Sequence, residues 1–527
     1  MNRTKKKWIA SMAVVPLLAG VIAGCSGGNN GEGPANTSAE NNGGGSDKPA
    51  APVELSVFRW DFEGVDSPES AIYKRLQEKL NIKVKPINAS WNDWEEKLNV
   101  MIASGEMPDV FISNGIGKPI QYHQWIKEGL ILNLSDYTSQ YPNIGKVLAN
   151  FEVLAKSTDG KHYGLPIGNP GSSKNSENGH NILIRKDWLD KLNLKVPTTI
   201  DEFYEVAKAF TENDPDGNGK KDTYGYTSSS GGVWWQYPIF NAFDASTGRF
   251  QKTADGKFEP EVISPGMEQG IGLLNKMYKE KILDPDFMLN TDEQKLEKFI
   301  TGKVGIIVNN LNSTFYTDIT NKFKKAFPDK DPKSIFTWVG TLKGVNGQQR
   351  MDGSSSFWLQ TSINAGISDE KKQKVLELMN YLLSEEGQDL MLNGIEGVHY
   401  KVVDGKKVPD KDAVDKDKGF LLKSLVSWNT DFLPDSLANR EDIIAAAKST
   451  GDFAVPDPLE FMAIPEDALD PGMVGELGDY VNQQVVDMIV KSKDVPADFA
   501  KFKEEWLKKG GTKLVEETNK QAAAEGR

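Results

Sequence analysis

The sequence predicts an α/β protein of two lobes, each a mainly parallel sheet flanked by helices, and three observations carry that expectation. Strand-like and helix-like segments alternate along the chain. About 475 residues remain beyond the N-terminal region, more than one hydrophobic core usually serves. The alternation also resumes in a second region, and later segments return to both, as in a chain that builds one lobe, then another, then revisits each. We expect a first lobe of 53–169 plus 307–353 and a second of 170–306 plus 354–527, with a ligand cleft between them.

The chain opens with Arg3, Lys5, Lys6 and Lys7 ahead of an apolar stretch from Trp8 to Gly24, followed by Cys25. Residues 1–24 have the asymmetry of a secretory signal and are too short for a membrane span. Ile22-Ala23-Gly24 before Cys25 resembles the bacterial lipobox. That implies a diacylglycerol on the Cys25 thiol, cleavage before it, and anchoring at the outer face of the cell membrane. Cys25 is the only cysteine, so with it lipidated the remainder has no disulfide, no thiol catalysis and no Cys-based metal site. Residues 26–52 hold almost no large apolar side chain and cannot repay the entropy of folding, so 25–52 reads as a lipidated cysteine with a flexible tether.

The formal charge of −13 becomes about −17 once the four basic signal residues are removed, which argues against nonspecific binding to nucleic acid or anionic membrane. No later apolar run is long enough to span a bilayer.

Val53 to Arg59 is the first expected strand, and Ser67-Pro68-Glu69 supplies an N-cap, a proline at the first helical position and an acidic first turn for the helix of Ile72, Leu76 and Leu80. A strand from Ile82 to Ile87, a helix through Trp94, Leu98 and Ile102, and the buried-type strand Asp109 to Ile112 follow. In a β-α-β-α-β run, ligands sit beyond the carboxyl ends of the strands, which here hold Trp60-Asp61 and Ser113-Asn114. The second region starts at Ile182 to Ile184, with Arg185-Lys186-Asp187-Trp188 opening a helix and Thr199 and Glu202 forming a capping box for the next. Val304 to Val308 is an apolar strand ending at Asn309-Asn310, and Val375, Met379, Leu382 and Leu383 mark a long amphipathic helix.

SGEMPDVFIS (104–113), YGLP (163–166), IRKDWLDKL (184–192), DPDGNGKKDTYG (214–225), NYLLSEEGQ (380–388), GIEGVHY (394–400) and EEWLKKGG (504–511) follow one another in this order and spacing. Through these segments nearly the whole chain past the tether resembles the family 1 extracellular solute-binding proteins, in the large lipoprotein branch of Bacillus-like and Paenibacillus-like bacteria. It implies the two-lobed periplasmic-binding-protein-like fold of type II, crossing strands, sugar held in the cleft and hinge closure. It also implies partner ABC permease and ATPase subunits on other chains, with this chain acting as a monomer.

Asp214, Asp216, Asn218, Gly219, Lys220 and Asp222 match the first nine positions of an EF-hand calcium loop: oxygen ligands at one, three and five, glycine at six, a backbone carbonyl at seven and an oxygen at nine. An all-oxygen set selects calcium over zinc. Position twelve departs, since Gly225 stands where the bidentate glutamate belongs, and Thr223 occupies the place just after position nine where relatives often carry a carboxylate. The alternative is an Asp/Asn/Gly-rich turn that binds nothing. A calcium ion here would be structural.

Sugar rings pack their C–H faces on aromatic planes and need amide, carboxylate or guanidinium partners for their hydroxyls. Of twelve tryptophans, Trp60, Trp234, Trp235, Trp358 and Trp428, with Tyr237, stand where strands are expected to end or cross; core packing is the alternative for each. Trp94, Trp188 and Trp506 are assigned to cores. Asp61, Asn114, Asn169, Arg185, Asn310 and Glu396 are the polar candidates. Arg185 suits either a uronate carboxylate or a structural ion pair, and Glu396, between two glycines, suits either ligand or the opposite lobe. The four histidines show no metal-ligand spacing and no nucleophile partner.

The expected function is oligosaccharide capture for ABC import, not catalysis. A glycoside hydrolase, which needs two carboxyls across the scissile bond, and a sugar-sensing lipoprotein for a membrane kinase are the alternatives.

Overall fold

The computed structural model describes residues 51–527 apart from 61, 92, 116–118, 150–158, 169–179, 230–231, 312, 353–356, 427–439, 456, 460–461, 463 and 465–467. The signal, Cys25 and nearly all of the tether therefore lie outside the described residues.

Two sheets organise the rest. The first has the order β2-β1-β3-β12-β4, from β1 (Val53–Trp60), β2 (Ile82–Ala89), β3 (Val110–Ser113), β4 (Leu165–Gly168) and β12 (Phe357–Ile363). β1 runs parallel to β2 and β3, so their carboxyl ends share one edge, while β12 returns antiparallel between β3 and β4. Successive side chains on β1 alternate between two cores: Leu55 and Val57 pack on one face with Ile72, Leu76 and Leu378, whereas Phe58 and Trp60 pack on the other with Trp94, Phe111 and Trp125. Burial on both faces is why Val57 and Phe58, adjacent in sequence and pointing to opposite sides, are both buried.

The second sheet has the order β10-β5-β9-β6, from β5 (His180–Arg185), β6 (Tyr224–Thr227), β9 (Val304–Asn310) and β10 (Phe336–Trp338). β6 is parallel to β9, and β5 is antiparallel to both β9 and β10. Ile306 and Val308 face one core and Ile307 the other. The C-terminal helices Pro471–Lys491 and Val495–Trp506 close the first of these cores, where Asn275 donates to the carbonyls of Met488, Ile489 and Ser492 at the end of the first helix. Short pairs complete the strands: β7 (Phe250–Lys252) with β8 (Phe258–Pro260), β11 (Met351–Asp352) with β15 (Ala454–Val455), and β13 (Tyr400–Val403) with β14 (Lys406–Pro409).

The two-lobed α/β class is as expected, with both sheets mixed rather than mainly parallel because β5 and β12 run against their neighbours. Strand pairing moves two segments across the expected partition. Residues 307–338 belong with the second sheet through β9 and β10, and 357–363 with the first through β12. Locally, the first helix starts at Ala71, not at Pro68, because Ser70 rather than Ser67 accepts from the Tyr73 amide. Thr199 does cap the helix Ile200–Glu212, but the Glu202 carboxylate reaches back to Thr198; a reciprocal capping box forms instead between Thr291 and Gln294.

Candidate carbohydrate-binding platforms

At the carboxyl edge of the first sheet, Trp60 ends β1 and is 8% exposed. Its ring is covered: Trp91 stands edge-on at 5.0 Å, Trp94 at 5.4 Å, and the Arg59 guanidinium lies 4.2 Å from its centroid. Trp91 itself, just past the end of β2, is 54% exposed. The exposed aromatic surface at this edge therefore belongs to Trp91, and Trp60 is its support. Asn114, beyond β3, donates to Glu95 Oε1 at 2.7 Å, which fixes the amide against the first turn of the helix Trp94–Ala103.

The second sheet presents a matching arrangement past the carboxyl end of β6. Trp234 is 48% exposed and rests on Trp235 at 5.1 Å and Tyr237 at 5.4 Å. Trp235 is half-buried and Tyr237 buried, and burial pushes the Tyr237 hydroxyl well above its ordinary pKa, so it stays a neutral phenol. Behind this platform is a dense polar layer. Asp284, buried, accepts from Thr227 at 2.8 Å, Asn290 at 3.2 Å and Lys298 at 2.7 Å. These bonds outweigh the burial that opposes its charge and hold the carboxyl below its usual range. The layer ties the strand end to the helix Asp292–Ile300. Asn310 ends β9 and is half-buried.

A family profile described as the bacterial extracellular solute-binding protein matches residues 63–389. The chain belongs to this family. Over 97% of its length, and 98% of the relative's, this solute-binding protein is 28% identical to the polygalacturonan/rhamnogalacturonan-binding protein YtcQ of Bacillus subtilis (strain 168). It is 29% identical to the lipoprotein LipO of the same organism, over 76% of this chain and 75% of that one. Among solved structures, the alginate-binding protein AlgQ2 without calcium ion superimposes with a TM-score of 0.66 at 20% identity, covering 91% of this chain and 99% of that one.

Several sequence candidates of this solute-binding protein are already engaged. Arg185 is buried, paired in two-pronged fashion with Asp187 at 2.8 and 2.6 Å, donating to the Phe299 carbonyl and lying against Trp188. Its donors are taken up inside the lobe, which selects the ion-pair alternative over a ligand role. Glu396 is exposed in a segment pinned by His399, whose ring lies against Gly394. Asp61, Asn169 and Trp428 lie outside the described residues, as does the side chain of Trp358 on β12. Trp94, Trp188 and Trp506 are buried core residues, as expected. Trp91 was missed by sequence reasoning, although a tryptophan between a strand end and the next helix is placed where a parallel sheet binds ligands.

The 214–222 loop is compact. Both Asp214 oxygens accept loop amides, from Gly217, Asn218 and Gly219, while the Asn218 side-chain amide bridges Asp216 at 2.7 Å and Asp222 at 2.9 Å. Asp214, Gly217 and Gly219 all take positive φ, as the tight wrap of such a loop needs. Among the described residues no three acidic or imidazole side chains converge tightly enough to hold a metal. The donors nonetheless fit calcium in kind: Asp214, Asp216, Asn218 and Asp222 with the Lys220 carbonyl, all oxygen. Position twelve cannot contribute, because a Cβ on Gly225 would lie 2.1 Å from the Ala207 carbonyl oxygen.

Proposed function

We propose that this solute-binding protein captures an oligosaccharide at the outer face of the cell membrane and delivers it to an ABC permease. The observation that carries the reading is the pair of exposed tryptophans, Trp91 and Trp234, each backed by further aromatic rings at the carboxyl edge of its own sheet. The match to YtcQ along almost the full chain supports a glycan ligand and makes galacturonan fragments the first probes to try. Calorimetric titration with tetragalacturonate and a panel of neutral oligosaccharides tests it. Saturable binding without release of shorter sugars is the expected result, and cleavage of the probe would favour the hydrolase alternative.

The lipid anchor rests on the lipobox at 22–25 and is supported by the likeness to LipO. Cys25→Ala is expected to move the protein from the membrane to the medium or the soluble fraction. Retention at the wild-type level would overturn the anchor.

A structural calcium at Asp214, Asp216, Asn218, Lys220 and Asp222 is supported by the oxygen donor set. Binding to the folded loop alone raises stability by mass action, by about 2.7 kcal/mol when free calcium is a hundred times Kd. Chelation should therefore lower Tm in the wild type and leave Asp216→Ala unmoved. An equal chelator effect in both would place any ion elsewhere.

A further inference from the structure

Lys295 is the most costly charge in the second platform. Its side chain is 0% exposed, it sits in the first turn of the helix Asp292–Ile300, where the backbone dipole already disfavours a cation, and a methionine there would avoid both penalties. The ammonium lies 3.7 Å from the Trp235 ring centroid and 3.0 Å from Asp292 Oδ1, which also accepts from Ser229 at 2.5 Å. Burial pulls the Lys295 pKa below its ordinary value, while Asp292 opposes that pull.

The pair is lopsided. Asp292 has a side chain 67% exposed, so water screens its charge in part, whereas the buried ammonium beneath Trp235 is screened by its partner and little by solvent. The positive end of the pair therefore projects through the indole. Laid end to end, the 3.7 Å from ammonium to Trp235 and the 5.1 Å from Trp235 to Trp234 put the exposed ring within about 9 Å of that charge. In a chain whose formal charge is −13, this places a buried cation close behind a surface suited to sugar rings.

We propose that Lys295 is a specificity-determining residue that acts through Trp235, making the Trp234–Trp235 platform prefer carboxylate-bearing sugars over neutral sugars of the same shape. The proposal rests on the reading of this platform as an oligosaccharide site. Its test compares tetragalacturonate with the fully methyl-esterified tetramer, equal in length and ring geometry but uncharged, on the full chain. The wild type is expected to bind the acid about tenfold more tightly than the ester, the upper end of what a buried, paired charge supplies at that range. Lys295→Met should bring the ratio to within about twofold of one while ester affinity changes little, and Lys295→Arg should restore it. A merely structural role would weaken both ligands together and leave the ratio alone; an unchanged ratio in Lys295→Met overturns the proposal. If that variant fails to fold, Asp292→Asn decides: removal of the screened carboxylate should raise the ratio, and a ratio at or below wild type overturns the proposal. Failure of the wild type to bind either tetramer, or any neutral oligosaccharide, would instead overturn the oligosaccharide reading beneath it.

Discussion

Asp417→Ala is expected to destabilise the protein by about 3–5 kcal/mol, because several buried donors lose their acceptor at once, each at about 1–3 kcal/mol. Asp417 is buried, and its carboxylate accepts from the Ser70 hydroxyl, the amides of Ala71 at 2.9 Å and Ile72 at 3.2 Å, the amide of Gly419 at 2.9 Å, and His399 Nε2 at 3.0 Å. It therefore satisfies the amino end of the helix Ala71–Leu80 and caps its own 3-10 helix, Lys418–Leu425. The Ile395 amide donates to His399 Nδ1, which leaves the ring proton on Nε2 and aims it at Asp417. Truncation would orphan all these donors at once. Asp417→Asn should recover little of the loss, because its amide nitrogen would face donors.

Burial works against the Asp417 charge, but the hydrogen bonds from Ser70, Ile72 and Gly419 outweigh it and hold the folded pKa below the ordinary carboxylate value. A depressed folded pKa gives stability that is present above the unfolded pKa of about 3.9 and is lost as pH falls through the folded value. The gap between wild type and Asp417→Ala in urea unfolding should thus be full at neutral pH and shrink below about pH 4. A neutral-pH difference under about 1 kcal/mol would show that neighbouring groups replace Asp417.

That cluster marks where sequence reasoning stops. Strands with strong apolar runs, such as Val304–Asn310, and helices with caps, such as Ile200–Glu212 behind Thr199, were legible because local chemistry determines them. The helix after Ser70 began three residues later than Ser67-Pro68-Glu69 suggested, since the deciding partner, Asp417, is 347 positions away. The assignment of 307–338 and 357–363 to sheets failed for a related reason: which sheet a strand joins depends on pairing partners, not on its own periodicity. At the candidate platforms, residue type pointed to aromatic rings near strand ends, and the structure has rings there. Exposure could not be read, because the rings that cover Trp60 come from Trp91 and Trp94, some thirty residues further along the chain.

Trp91→Ala and Trp234→Ala are each expected to weaken ligand binding by about 1–3 kcal/mol, roughly 5- to 150-fold, while leaving unliganded stability nearly unchanged. Both rings keep about half their surface open to solvent, so truncation forfeits a stacking face and little packing. Trp60→Ala should behave in the opposite sense. Its ring fills the space between Trp91, Trp94 and the Arg59 guanidinium, and removal leaves a cavity costing about 3–5 kcal/mol of stability. Some affinity would be lost as well, since Trp91 rests on Trp60. A double-mutant cycle separates the two contributions: with Trp91 already removed, Trp60→Ala should still destabilise the unliganded protein but should add little to the binding loss. Calorimetric affinity for a verified oligosaccharide and urea unfolding on the four proteins of the cycle and on Trp234→Ala give both axes. Wild-type affinity in Trp91→Ala and Trp234→Ala together would remove these platforms from the site, whereas a binding loss confined to one of them would place the ligand on that sheet alone.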